Sequence, residues 1–186
     1  MHDRLVAEPI RLTYEDFCAL PDDGRRYEII DGDLFMSPSP EIPHQTVVIN
    51  LAAILHQHVR KEKLGKVLVA PSDVLLGEHD IVEPDIIFIS KERLSIVTQK
   101  NIQGAPDLLI EVLSPSTSRR DVRDKRNLDA RSGVRYYWML DSHGPRVTEL
   151  QLTEGEYAVV KELSGDAIFE PACFPDLKIN LAGLLE

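Results

Sequence analysis

The run Leu108-Leu109-Ile110-Glu111-Val112-Leu113 is apolar except for one acid, Glu111. An ionised carboxylate among such neighbours is costly unless a cation or hydrogen-bond donors meet it. Asp85 stands in a comparable run, between Ile81 and Ile89. Side chains alternate along a strand, so Glu111 shares a face with Leu109 and Leu113, and Asp85 with Ile87 and Ile89. If the two strands are neighbours, both carboxylates enter one pocket. A hard cation such as Mg2+ or Mn2+ takes one or two carboxylates there, with water and substrate phosphate completing its shell. Such an ion lowers the pKa of bound water and clamps a phosphodiester. The plainer alternative is that each acid ends its strand and meets solvent or an arginine. Asp107 competes for the metal role, but it lies four residues before Glu111 on the same strand, about 13 Å away. It reads instead as a strand-start residue.

Lys125 is the third candidate. Val122 and Leu128 flank it on the inward stripe of a helix, so it either snorkels outward, pairs with Asp121 or Asp129, or contacts a scissile phosphate. Glu28, flanked by Tyr27 and Ile29-Ile30, is either an exposed strand residue or a further acid that ligates a metal or orients water. His44 begins a long helix and reads first as a helix-end residue, with an accessory role as the alternative. His56 and His58 are two apart on that helix and do not face each other, which argues against zinc.

These residues need elements to hold them. Thr13 with Asp16 reads as a capping box for a short helix ending near Leu20. A hairpin follows, with strands 26–30 and 33–36 on an Asp31-Gly32 turn. The apolar stripe Val47, Val48, Leu51, Ile54, Leu55 and Val59 predicts a helix over about 44–64. Strands are expected over 66–76 (bent at Pro71), 81–90 and 108–113. Ser118 with Asp121 caps a basic helix that stops near Gly133. An aromatic-rich strand covers 134–141. Trp138 within it reads as core, and Tyr136 and Tyr137 suit core or interface. An antiparallel pair covers 146–152 and 157–163, and a short strand and helix fill about 175–185. The order is mixed α/β (α+β): a central mixed β-sheet flanked by helices, in one domain spanning 1–186.

The bulk numbers fit that picture. The 186 residues suit one core, with 43% hydrophobic and 28% charged residues. No apolar run approaches a membrane span, and no signal-peptide core opens the chain, so no membrane association and a cytoplasmic location are expected. Cys18 and Cys173 have no zinc or CxxC spacing and are expected to be reduced. A net charge of −10 argues against indiscriminate nucleic-acid binding. The distribution is uneven, however. Residues 119–135 hold seven basic residues against three aspartates, so the remainder carries −14. That helix reads either as a solvated face laced with charge pairs or as a phosphate-facing patch.

In order along the chain stand Tyr27-Glu28-Ile29-Ile30-Asp31-Gly32-Asp33-Leu34, Ser37-Pro38, His44, Glu83-Pro84-Asp85-Ile86 and Gly104-Ala105-Pro106-Asp107-Leu108. Glu111-Val112-Leu113-Ser114-Pro115-Ser116-Thr117, Asp124-Lys125-Arg126, and Gly133-Val134 through Tyr137-Trp138 to Asp141 follow. Over nearly its full length the chain resembles the Uma-type (Uma-two) family of bacterial endonucleases. That family lies within the PD-(D/E)xK, restriction-endonuclease-like superfamily. The resemblance implies a four-stranded mixed sheet flanked by helices, with a metal between two strands. It makes Asp85 the acid of the PD element and Glu111 the second acid, with the Val112 carbonyl as a further ligand of Mg2+ or Mn2+. The superfamily lysine is absent, since Leu113 stands two after Glu111, and Lys125 takes its place in space. Glu28 is the extra acid before the core strands. The function implied is a divalent-metal-dependent endonuclease acting on DNA, with Arg119, Arg120, Arg123 and Arg126 positioning the backbone. A double-strand cutter commonly pairs two sites, which implies a homodimer. Two rivals remain: a non-catalytic binding or assembly domain, and a metal-dependent hydrolase of a small phosphorylated molecule.

Overall fold

A computed structural model describes residues 10–37, 39–114 and 119–186, and of residues 119–122 only the backbone. Thr13 caps helix α1 (Tyr14–Cys18) through the reciprocal capping box with Asp16. The hairpin β1 (Arg26–Ile30) and β2 (Asp33–Ser37) turns at Asp31-Gly32, both at positive φ. Helix α2 (Ile42–Glu62) starts two residues earlier than its apolar stripe suggests, because Pro43 suits the first turn. It ends at Lys63 in the left-handed conformation.

Two expected strands are each two. The segment expected to bend at Pro71 forms β3 (Gly65–Val69) and β4 (Val74–Gly77), which lie in different sheets. The segment around Asp85 forms β5 (Asp80–Val82) and β6 (Ile86–Ser90), likewise in different sheets. Proline cannot donate to a ladder, so Pro71 and Pro84 mark the crossings. Asp85 therefore sits at a break between sheets and not inside a strand. The chain continues through a 3-10 turn (Lys91–Ile96), β7 (Ile102–Gln103), β8 (Leu108–Leu113), α3 (Arg119–Arg131), β9 (Tyr136–Asp141) and the hairpin β10 (Arg146–Thr153) and β11 (Glu156–Ser164). It closes with β12 (Ile168–Phe169), which the sequence pattern did not reveal, β13 (Ile179–Asn180) and a 3-10 turn (Ala182–Leu185).

The fold is mixed α+β. A six-stranded sheet has the order β11-β10-β9-β8-β6-β3, and a five-stranded sheet the order β2-β1-β5-β4-β7. In the larger sheet only β8 and β9 pair in parallel, joined over α3 as a parallel connection requires. Its two faces read directly from alternation. Ile86, Phe88, Leu108 and Ile110 pack with Val47, Leu51, Leu55 and Val59 of α2 and with Trp138. Ile87, Ile89, Leu109 and Tyr137 pack against Val74, Val82 and Ile102 of the smaller sheet and Leu128 of α3. Burial on both faces explains the unbroken apolar runs of β6 and β8. One face of the larger sheet is covered by α2 and the other by the smaller sheet together with α3, in keeping with a central mixed sheet flanked by helices. Trp138 and Tyr137 are 0% and 1% exposed, which makes β9 an interior strand and removes these two rings from any interface. Among the described residues, no helix is long and apolar enough to cross a membrane.

Arg131 ties α3 to the hairpin turn. Its guanidinium donates to both carboxylate oxygens of Asp31, at 3.1 and 2.6 Å, and to Asp80 at 3.2 Å. The side chain is half exposed, so Arg131→Ala should lower stability by at most about 1 kcal/mol in urea denaturation. A larger loss would mean that the clamp holds the two sheets in register.

Candidate active site

Antiparallel pairing of β6 with β8 sets Ile86 against Ile110, so Asp85 and Glu111 stand opposite each other at the next position. The hairpin brings a third acid from the other sheet. Arg26, Glu28 and Ile30 alternate onto the face that looks at this point, with Phe35 directly across from Glu28. Helix α3 supplies Lys125, whose inward stripe continues one turn on through buried Leu128 and Asp129.

Asp85 is 3% exposed and its carboxylate is surrounded by donors. Oδ2 accepts from the Val112 backbone N–H at 2.8 Å and lies 3.1 Å from Nε2 of His44. Oδ1 accepts from Arg26 at 2.8 Å. Burial alone would raise its pKa, but the His44 hydrogen bond, the Arg26 charge and the Val112 N–H together hold it down at about 2. Arg26 also donates to the Glu83 carbonyl, and its Nε lies 3.6 Å from the Glu83 carboxylate.

Lys125 bridges the other two acids. Its Nζ is 2.6 Å from Oε1 of Glu111 and 2.9 Å from Oε1 of Glu28. Glu28 also accepts from the Glu83 N–H at 2.9 Å. The Lys125–Glu111 pair is not symmetric. Burial works against the ammonium, but Glu111 and Glu28 outweigh it and raise its pKa. Burial pushes the Glu111 carboxyl up to about 7, because one ammonium does not offset burial together with the charges of Asp85 and Glu28. Asp129 is displaced well above its ordinary value by burial.

The fit to a divalent cation follows from this charge balance. Among the described side chains, Glu28, Glu83, Asp85 and Glu111 present four carboxylates to only two fixed cations, Arg26 and Lys125. With all four ionised the site is short of two positive charges, and burial accordingly lifts the Glu83 and Glu111 carboxyls to about 7; a bound cation would supply the missing charge. Among the described residues, no group of three or more His, Cys, Asp or Glu side chains is placed to hold a metal ion. Hard cations do not need one, since one or two carboxylates and open positions suffice. Asp85 and Glu111 are the two acids opposite each other across the strand pair.

The site thus brings together Glu28, Asp85, Glu111, Val112, Lys125 and His44. Lys125 makes its ion pairs with Glu28 and Glu111, and not with Asp129. Glu28 is buried, so the exposed-strand reading is overturned; it pairs with Lys125 and accepts from the Glu83 N–H. His44 is no mere helix-end residue, because it is buried against Asp85. Asp107 accepts from the Ser90 N–H and from Arg93, as a strand-start residue should. Arg123 is exposed and Arg126 half-buried, while the side chains of Arg119 and Arg120 lie outside the described residues. The expected Ser118–Asp121 cap also lies outside them. Arg26 and Glu83 are the residues that sequence reasoning passed over. The alternation Arg26-x-Glu28 was the available signal for the first.

The floor of acids opens into a pocket of about 360 Å³ walled by Ile30, Phe35, Leu113 and Tyr137. A family profile described as "Putative restriction endonuclease" (Uma2) matches residues 14–182. Among solved structures, a protein from Anabaena variabilis ATCC 29413, described as "a putative nuclease belonging to DUF820", superposes with a TM-score of 0.76. It is 21% identical, and the match covers 94% of this chain and 97% of that one. No match was found among curated proteins.

Proposed function

The chain belongs to the Uma2 family of restriction endonucleases, and on that footing we propose that it is a divalent-metal-dependent endonuclease that hydrolyses DNA phosphodiester bonds. The observation that carries this reading is the convergence of Glu28, Asp85 and Glu111 on one pocket, where Lys125 pairs with Glu28 and Glu111 and Arg26 with Asp85. Asp85 and Glu111, with the Val112 carbonyl, are the residues to hold Mg2+ or Mn2+. When bound, that ion supplies Lewis acidity and charge neutralisation at the phosphodiester. The remaining work falls to the chain. His44 and the Val112 N–H fix the Asp85 carboxylate in its ionised form. Glu28 holds Lys125 protonated and aimed into the pocket, where its ammonium stabilises charge that develops on the phosphate oxygens. Arg26 stands beside it as a second phosphate contact. Exposed Arg123, with Arg119, Arg120 and Arg126, positions the backbone without reading bases.

A non-catalytic scaffold would have spent Lys125 on a neighbour in its own helix. Its pairing instead with two acids from two sheets favours the enzyme. The test is conversion of supercoiled plasmid in Mn2+. Wild type should nick it, EDTA should stop the reaction, and Asp85→Asn should fall to background. Failure of the wild type in both Mg2+ and Mn2+, on double- and single-stranded DNA alike, would reject the reading. A homodimer remains part of the proposal, and sedimentation at micromolar concentration should give a dimer mass.

A further inference from the structure

Among the described residues, the acids lie at the bottom of a pocket. Glu28 and Asp85 are 4% and 3% exposed. The cavity above them is about 360 Å³, the scale of a pocket for one small ligand. An intact double helix does not enter such a space. A single nucleotide unit does, being within the size range of small-ligand pockets.

The walls suit a base and the floor suits a phosphate. Phe35 sits across the hairpin from Glu28 on the same face, half-buried, beside the acids and the cations of Arg26 and Lys125. An aromatic ring beside a phosphate-binding floor is the arrangement by which proteins hold unpaired bases irrespective of sequence. Ser39 and Glu41 on the rim are exposed, so a strand entering the pocket has a way to continue.

Resting on the nuclease reading above, we propose that the substrate is single-stranded DNA: one unpaired nucleotide enters the pocket with its base on Phe35 and its phosphate at Arg26 and Lys125. Duplex DNA is then cut only where a strand is open.

The test offers three substrates of one sequence, each with its own dye, to the full chain in Mn2+. They are a single strand, a blunt duplex, and a duplex with an unpaired 3′ tail. The single strand and the tail should be cleaved at least about tenfold faster than the blunt duplex, with cuts confined to unpaired nucleotides. Phe35→Leu keeps the bulk and removes the ring. It should slow single-strand cleavage by about tenfold, the scale of one lost base stack, while calorimetric Mn2+ binding and the melting temperature stay unchanged. Blunt duplex cut as fast as single strand overturns the inference and leaves the nuclease reading standing. So does an unaffected Phe35→Leu. No cleavage of any of the three overturns both.

Discussion

Lys125→Ala is expected to abolish cleavage and to destabilise the protein by about 3–5 kcal/mol, the usual result of breaking a buried ion pair from one side. The ammonium is only 13% exposed and stands between two acids that are 6% and 12% exposed. Its loss leaves Glu28 and Glu111 without the ammonium between them, and Arg26, which already pairs with Asp85, as the remaining cation. The same charge argument gives a second, opposite signature. Adding Mn2+ should restore more stability to Lys125→Ala than to wild type, because the variant lacks three positive charges where wild type lacks two. Lys125→Met, which keeps the stem, separates lost packing from lost charge. Urea denaturation with and without Mn2+, alongside plasmid nicking, reads all of this. A cost below about 1 kcal/mol with cleavage intact would make Lys125 a surface partner and nothing more. Lys61→Ala, at the exposed end of α2, is the proper control. Arg131 is not, since it clamps the hairpin.

Glu111→Gln is expected to lower Mn2+ affinity by at least about tenfold and to remove cleavage. It should also remove a pH dependence. Burial, with Asp85 and Glu28 close by, lifts the Glu111 carboxyl to about 7, and a ligand must lose its proton before it can bind metal. Above that pH the carboxylate is free for the ion. Below it, proton and metal compete, and wild-type affinity should fall by about tenfold per pH unit. The amide has no proton to exchange, so the variant's weak binding should be flat over the same range. Calorimetry from pH 5 to 8 decides. A wild-type affinity that does not change between pH 5 and 7 would show that Glu111 is not a ligand.

The acids were legible in the sequence because each violates its surroundings. Glu111 interrupts an apolar strand, and Asp85 follows Pro84 just ahead of another. Neighbouring strands were a guess from that pattern, and β6 pairing with β8 supports it. What the pattern hid was long-range geometry. The Asp85–His44 contact spans 41 residues and the Arg26–Asp85 contact 59, and neither leaves a local periodicity. Arg26 reads as an ordinary charged residue at a strand start. Asp129 reads as a helical charge, since the inward side of α3 is set by its packing against β1 and β11. The two apolar runs read as single strands because alternation persists across Pro71 and Pro84. It cannot report that the chain changes sheets there. The two-sheet architecture escaped for the same reason.

Because the centre straddles that seam, its assembly is a question of folding order. Glu28 reaches Glu83 across 55 residues, and the hairpin joins the rest of its sheet through the one register pair Ile29–Ile81. Contacts of such sequence separation carry a large loop-closure entropy and form slowly. The hairpin itself is local and can form early, but its docking cannot. A chain with every strand of the larger sheet in place and the hairpin undocked would hold Asp85 and Glu111, yet lack Arg26, Glu28 and the aimed Lys125. It would be native by far-ultraviolet spectroscopy and chemically silent. Partial unfolding of the hairpin would therefore switch off phosphodiester hydrolysis at denaturant concentrations that leave the main sheet intact.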